Sequence, residues 1–157
     1  MANYMGTTRT NYFRVNDEEK FRETVSRIET YDGDDIYVFT EKGKDGTMLY
    51  GFGTYSAVAG LRPARAVCDD VDECWEDDDD CWDEPNPEDA YRALQEVVAD
   101  NDAIVVEEVG YEKLRYVWAS AVIITKAGIK YISMKQLIEE EVRKELGQDA
   151  YVLNDEY

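Results

Sequence analysis

The sequence predicts an α+β fold, with an antiparallel sheet of about five to six strands and about three helices in the order β-α-β-β-α-β-β-β-α. Segments with a helical spacing of apolar residues alternate with short segments rich in β-branched and aromatic residues. Short turns join most of the strand-like segments, which implies antiparallel pairing. The 157 residues are 44% hydrophobic, enough for a core. We expect a single domain over residues 1–157, with an acidic insert at about 68–86 between its halves.

The first strand and helix are predicted at the start of the chain. Thr10–Val15 alternates in polarity, as a strand does. Asn16 is the expected helix N-cap, with Glu19 in the capping-box position, and the helix is expected to end near Glu29. Its apolar positions are spaced four and three apart and should form one buried stripe: Phe21, Val25 and Ile28.

A β-hairpin is predicted next. Ile36–Glu41 and Thr47–Tyr55 are rich in strand-forming residues, and Lys42–Gly46 between them contains two glycines. Gly51 and Gly53 within the second strand indicate a bulge or a close approach of another backbone.

The second half is predicted to hold a helix, a three-stranded meander and a final helix. Pro87 fits the first turn of the helix, whose apolar face is Tyr91, Leu94, Val97 and Val98. The strands are Ala103–Val109, Arg115–Lys126 and Ile129–Ser133. The final helix covers Met134–Leu146 and ends at Gly147. Its apolar residues are Leu137, Ile138, Val142 and Leu146.

The net charge of −19 is concentrated in one segment. Cys68–Asp89 holds 13 acidic residues and no basic ones, and the rest of the chain holds 23 acidic and 17 basic residues. Shorter acidic runs extend the excess at Glu107-Glu108, Glu139–Glu141 and Asp155-Glu156. Such a surface repels nucleic acid and anionic membranes, and it attracts basic peptides and basic protein grooves.

Catalytic motifs are missing from the sequence. It contains no histidine, no Gly-x-Ser-x-Gly motif and no Walker-type or dinucleotide-binding loop. A hydrolase that uses carboxylates alone is the enzyme class left open. We therefore expect a protein that is not an enzyme and that needs no cofactor.

The three cysteines favour free thiols over a metal site. Cys68, Cys74 and Cys81 are spaced more widely than the paired ligands of structural zinc, and their odd number fits a reducing compartment. The acidic run also lacks the glycine of a calcium-binding loop. Met1–Arg9 has no apolar core of a signal peptide, so we expect a cytoplasmic protein without a specific metal site.

The acidic segment is the predicted partner-binding site. Duplex DNA carries a phosphate about every 3.4 Å along each strand, and an extended chain advances about 3.3 Å per residue, so its carboxylates can stand in for phosphates. Trp75 and Trp82 would anchor in pockets of the partner or stack where bases do. The predicted site residues are Asp69, Asp70, Asp72, Glu73, Trp75, Glu76, Asp77, Asp78, Asp79, Asp80, Trp82, Asp83 and Glu84.

In size and acidity, and in the segment CDDVDECWEDDDDCW, the chain resembles the anti-restriction and anti-CRISPR inhibitors of phages and mobile elements, which act as DNA mimics. Two other stretches, MGTTRTNYFRV and GYEKLRYV, are similar to uncharacterised proteins carried on mobile elements of Gram-positive bacteria. The resemblance implies an inhibitor that blocks the nucleic-acid channel of a CRISPR effector or a restriction enzyme, in the host cytoplasm if phage-encoded. It implies no catalytic residues.

Three other interpretations stay open. The acidic surface would also suit an immunity-type or regulatory protein that binds a basic partner unrelated to nucleic acid. The acidic segment would alternatively be an inert loop that only aids solubility. The hairpin glycines and the exposed edges of the sheet would also allow a homodimer.

Overall fold

The computed structural model describes residues 5–63, 84–113 and 116–149. The elements within these ranges are, in chain order, β1 (Met5–Thr10), α1 (Glu18–Arg27), β2 (Ile28–Thr30), β3 (Tyr37–Lys42), β4 (Met48–Thr54), β5 (Val58–Leu61), α2 (Pro87–Val97), β6 (Ile104–Glu112), β7 (Tyr116–Thr125), β8 (Gly128–Ser133) and α3 (Met134–Leu146).

The main sheet has six strands in the order β3-β4-β1-β6-β7-β8, and every pair of neighbours is antiparallel. Strands β2 and β5 form a separate two-stranded antiparallel sheet. The α+β class, the six strands and the order of the main elements are confirmed. The small sheet was not predicted.

One face of the main sheet holds the core. Side chains alternate between the two faces of a strand, and in β1 exposed and buried residues alternate without exception. The buried side chains of β4, β6 and β7 pack against α1, α2 and the small sheet. The core consists of Phe13, Phe21, Val25, Ile28, Tyr50, Phe52, Val58, Ala90, Tyr91, Leu94, Val97, Val98, Ile104, Val106, Val122 and Ile124. The apolar faces predicted for α1 and α2 are therefore buried.

The first strand lies earlier than predicted. Strand β1 ends at Thr10, and the predicted strand Thr10–Val15 follows it as irregular backbone. Phe13 lies outside the regular strand. Its ring is fully buried, and its backbone forms an isolated bridge with Tyr50. A second isolated bridge joins Val15 to Val98 at the end of α2. The polarity pattern of this stretch therefore accompanies two isolated bridges and not a regular strand.

Helix α1 begins one residue later than predicted. Asp17 is the N-cap, and its carboxylate accepts a hydrogen bond from the backbone N–H of Lys20 at 3.0 Å. Asn16 instead bonds to the end of α2, donating its backbone N–H to the carbonyl oxygen of Val97 at 3.0 Å. The helix ends at Arg27 because Ile28 adopts an extended conformation and starts β2.

The glycines of β4 allow a close backbone approach. The register between β3 and β4 is continuous, so these two strands contain no bulge between them. A Cβ atom at Gly53 would lie 3.0 Å from the carbonyl oxygen of Thr8 and 3.3 Å from the ring of Phe39. The tight fit between β4 and β1 therefore requires glycine here.

Helix α3 has the predicted bounds but packs weakly. It ends at Gly147, whose φ of 103° favours glycine. None of its side chains is buried, and Leu137, Ile138 and Leu146 are among the exposed large hydrophobic residues. Among the residues that the model describes, no helix is long and apolar enough to cross a membrane.

Candidate functional site: an acid-lined cleft at the ends of the acidic segment

The predicted site lies mostly outside the described residues. Glu84 is described and is exposed to solvent. The other predicted site residues fall outside the described ranges: Asp69, Asp70, Asp72, Glu73, Trp75, Glu76, Asp77, Asp78, Asp79, Asp80, Trp82 and Asp83. The same is true of Cys68, Cys74 and Cys81. What the structure does define is how the chain enters and leaves this segment.

The chain enters and leaves the acidic segment at the same place. A Cβ atom at Gly60, in β5, would lie 2.9 Å from Cβ of Pro85 and 3.1 Å from the backbone nitrogen of Asn86, which immediately precede α2. The absence of a side chain at Gly60 thus lets the two ends pack together. The described residues that flank 64–83 are therefore close together in the fold.

The entering end is tied to helix α1. The backbone N–H of Arg62 donates to the carbonyl oxygen of Arg27 at 2.8 Å. In return, Nε of Arg27 donates to the carbonyl oxygen of Arg62 at 2.8 Å. The backbone bond continues the pairing of β2 with β5, and the side-chain bond adds to it. The small sheet and α1 therefore hold the chain in place just before the acidic segment.

The leaving end is the start of α2. Asn86 is the N-cap, and its side-chain oxygen accepts a hydrogen bond from the backbone N–H of Glu88 at 3.0 Å. Pro87 occupies the first turn, as predicted, and Glu88 and Asp89 lie at the positive end of the helix dipole. The last acids of the segment therefore belong to a fixed helix end.

A cleft of about 1100 Å³ opens where the two ends meet. Its walls come from α1, β2, the loop that follows β2, and β5. Arg62, Glu84 and Pro85 line it, so both ends of the acidic segment contribute to it. Its charged lining residues are Arg22, Glu29, Asp34, Asp35, Arg62 and Glu84.

Both arginines of the cleft already have partners. Nε of Arg22 lies 2.9 Å from a carboxylate oxygen of Glu18. Arg62 donates to the carbonyl oxygen of Ser26 at 2.9 Å, and its Nε lies 4.0 Å from Glu29. Arg62 therefore contacts both α1 and β2.

Three acids of the cleft remain available to a partner. The side chains of Asp34, Asp35 and Glu84 are exposed, and within the described residues none of them forms an ion pair. With Arg22 and Arg62 engaged, the cleft presents unpaired negative charge beside the ends of the acidic segment. A cationic group that enters the cleft would be attracted by these carboxylates.

Sequence reasoning missed the role of Asp34 and Asp35. The first helix was expected to end near Glu29, and no function was assigned to the aspartates that follow Tyr31. Their place beside the acidic segment depends on the pairing of β2 with β5, which brings residues 28–36 next to residues 58–62. The density of aspartates after Tyr31 was the available signal.

The acidic pair Glu107-Glu108 does not extend the acidic surface as a unit. Glu107 is exposed, but Glu108 lies on the helix-covered face and is largely buried. One carboxylate oxygen of Glu108 accepts hydrogen bonds from the backbone N–H of Val58 at 3.0 Å and from Oγ1 of Thr8 at 3.3 Å. Burial raises the pKa of Glu108, and these two bonds oppose the rise. Glu108 is therefore a structural group between β6 and β5.

The described residues contain no group of three or more potential metal ligands that could hold an ion. The site so far defines a class: an α+β protein with an acid-lined cleft where the two ends of an acidic segment meet. Comparisons of the chain with protein-family models, with curated proteins and with solved structures found no match.

Proposed function

We propose that the protein is an inhibitor that inserts its acidic segment, Cys68–Asp89, into the basic nucleic-acid-binding groove of a nuclease of the CRISPR-effector or restriction class. Such binding excludes DNA or RNA from the groove and needs no catalytic residue. The proposal places the protein in the cytoplasm, and in that of the host cell if it is encoded by a phage. The observation that carries it is the junction of a segment with 13 acids and no bases with an acid-lined cleft.

The contact between the two described ends of the acidic segment supports this function energetically. Binding costs conformational entropy, and a segment whose ends are held together has less entropy to lose than a free tail. The packing of Gly60 on Pro85 supplies that constraint. The cleft acids Asp34, Asp35 and Glu84 add negative charge beside the two ends of the segment.

Charge also predicts how the complex behaves. Opposite charges on the two partners speed up the encounter, and salt screens them, so association should be fast and should weaken steeply as salt rises. Duplex DNA should compete, because it binds the same groove. An immunity-type or regulatory protein with the same surface would share the salt dependence but not the competition.

The test is a pull-down with the full chain as bait from a lysate that contains nucleases, at low and high salt, with and without added duplex DNA. We expect a nucleic-acid-binding protein to be captured and to be released by duplex DNA and by high salt. The test variant replaces Asp77, Asp78, Asp79 and Asp80 by Asn. The matched control replaces four acids of α3 by Gln, namely Glu139, Glu140, Glu141 and Glu145.

The two variants remove the same charge at different places. The proposal requires that the Asn variant loses the captured nuclease and that the α3 variant keeps it. Equal capture by the Asn variant would contradict the proposal. A partner that stays bound in excess duplex DNA would favour the immunity-type or regulatory function instead.

A further inference from the structure

The described residues leave much of the second face of the main sheet exposed. The register places the odd-numbered residues of β1, β3, β4, β6 and β7 on the side opposite the core. The large exposed side chains on this open face are Met5, Tyr37, Tyr55, Val109, Tyr111 and Val117. Tyr55 and Val117 are 74% and 71% exposed. A contiguous patch of exposed apolar side chains is typical of an interaction surface.

Two shallow grooves run along this open face. One, of about 390 Å³, lies between β1, β3 and β4, and its walls include Arg9, Tyr37 and Phe39. The other, also of about 390 Å³, lies between β1, β6 and β7. Thr7 and Tyr55 line both grooves, so the grooves are continuous across the sheet.

Helix α3 adds a second uncovered apolar surface beside the first. Met134, at its start, lines the second groove. Along the helix, Leu137, Ile138 and Leu146 are exposed, and Leu146 is 77% exposed. Each chain therefore carries a grooved apolar sheet face and an amphipathic helix that packs on little else among the described residues.

The exposed apolar area is large enough for a dimer. The side chains of the open face and of α3 expose on the order of 1,000 Å² together, since a large side chain buries roughly 150–250 Å² when fully covered. The largest patch on a typical monomer is about 300–600 Å². A stable interface buries about 800 Å² on each partner.

The charge of the open face favours a second copy of the chain over a basic partner. Its paired strands carry two acids, Glu41 and Glu107, and two bases, Arg9 and Lys130, so its net charge is zero in a chain of net charge −19. Arg9 lies over the ring of Phe39 at 4.8 Å, opposite Glu107 in the register. Two copies can meet here while their acid-lined clefts, on the helix-covered side, face away from each other.

We infer that the open face is the interface of a symmetric homodimer, in which the apolar stripe of α3 from each copy packs on the open face of the other. A two-fold axis makes such an exchange reciprocal, because each copy offers both surfaces. The dimer carries both acid-lined clefts on its outer sides. The inference uses a surface separate from the acidic segment and does not depend on the proposed inhibition.

The test is the molar mass of the full chain by sedimentation velocity over a range of concentrations. We expect twice the chain mass of 18.1 kDa. The variant Val117→Lys with Tyr55→Lys places ammonium groups in the interface, and the dimer dissociation constant should rise by about a hundredfold or more because each would be buried without a partner. Both side chains are exposed in one copy, so the variant should keep its far-ultraviolet circular dichroism.

Two further variants locate the interface. Leu146→Lys on α3 should also weaken the dimer. Tyr31→Lys is the matched control, because Tyr31 is 69% exposed but lies at the cleft, and its variant should stay dimeric. Salt should leave the dimer intact or strengthen it by screening the repulsion between two acidic chains, whereas salt weakens capture of a basic partner.

A wild-type chain that is monomeric at every concentration would overturn the inference. So would a dimer that the Val117→Lys, Tyr55→Lys variant leaves unchanged. A chain ending at Asp149 that dimerises where the full chain does not would show that residues 150–157 cover the open face, and would also overturn it.

Discussion

The two faces of the main sheet differ in how their side chains are packed. On the covered face, β4 buries Tyr50 and Phe52 against α1 and α2. On the open face, the same strand is followed by Tyr55, which stays in solvent. The covered side also carries the acid-lined cleft, whereas the paired strands of the open face have no net charge. The core and the acid-lined cleft therefore lie on one side, and the described residues leave much of the other side exposed.

The largest expected difference between the faces is in stability. Phe52→Ala should lower the free energy of unfolding by about 3–5 kcal/mol because its fully buried ring leaves a cavity. Tyr55→Ala, three residues along the chain on the open face, should change it by no more than about 0.5 kcal/mol. Urea denaturation at a dilution where the chain is monomeric measures both. Similar losses for the two variants would contradict the division into a core face and an open face.

The junction of the acidic segment should be the next most sensitive place. Gly60→Ala brings a methyl group within 2.9 Å of Cβ of Pro85 and should cost about 1–3 kcal/mol by overpacking. Gly128→Ala is the control, because a Cβ there meets no atom within 4 Å. Thermal denaturation of the two variants compares them. A Gly60→Ala variant as stable as Gly128→Ala would show that the ends are not held together.

Helix capping should distinguish the packed helix from the unpacked one. Asp17→Ala removes the side-chain cap of α1 and should cost about 0.5–2 kcal/mol. Ser133→Ala at the start of α3 should cost much less, because Ser133 makes no side-chain cap hydrogen bond. Urea denaturation again gives both values. A larger loss for Ser133→Ala would mean that α3 contributes more to the folded core than its exposure indicates.

The buried Glu108 should make stability depend on pH. Its pKa in the folded protein is raised above the ordinary value of 4.5, chiefly by burial. Below that value Glu108 holds its proton in both states. As the pH rises above 4.5, Glu108 of the unfolded chain loses its proton before Glu108 of the folded protein does. The free energy of unfolding therefore falls until the pH passes the folded pKa of Glu108, and above that pH it stays at the lower value. The Glu108→Gln variant has no carboxyl group to titrate at this position. Its free energy of unfolding, relative to that of the wild type, should therefore be higher at neutral pH than at acidic pH.

The control for Glu108 is its neighbour on the other face. Glu107→Gln changes an exposed side chain and should alter the free energy of unfolding by no more than about 0.5 kcal/mol. Denaturation curves below pH 4.5 and at neutral pH measure both variants. If the difference between Glu108→Gln and the wild type stayed constant across this range, burial would not be shifting the proton equilibrium.

Much of the fold could be predicted because its main elements carry strong local patterns. The stripe of α1, the Pro87 start of α2 and the turn between β3 and β4 each follow from residues close together in the chain. The small sheet was missed because β2 and β5 have three and four residues, too short to show an alternation. Ile28 fits the stripe of α1 as well as a strand, and tertiary pairing with Leu61 decides between them.

The candidate site was harder to predict because it depends on contacts between distant residues. Composition alone located the acidic segment. Nothing local placed Asp34 and Asp35 beside it, or separated Glu108 in the interior from Glu107 in solvent. The exposure of the apolar residues of α3 could not be predicted either, because Leu137 and Ile138 have the spacing of a buried helix face.

The most direct test of the account replaces residues 64–83 by a short Gly-Ser linker and measures both the free energy of unfolding and the capture of nucleic-acid-binding proteins. Because the ends of the segment meet, we expect the fold to be as stable as the wild type or slightly more so, since a shorter loop closes at a lower entropic cost. We expect the capture that duplex DNA competes for to be lost. A stable variant that still captures the same nuclease would contradict the claim that the acidic segment carries the function.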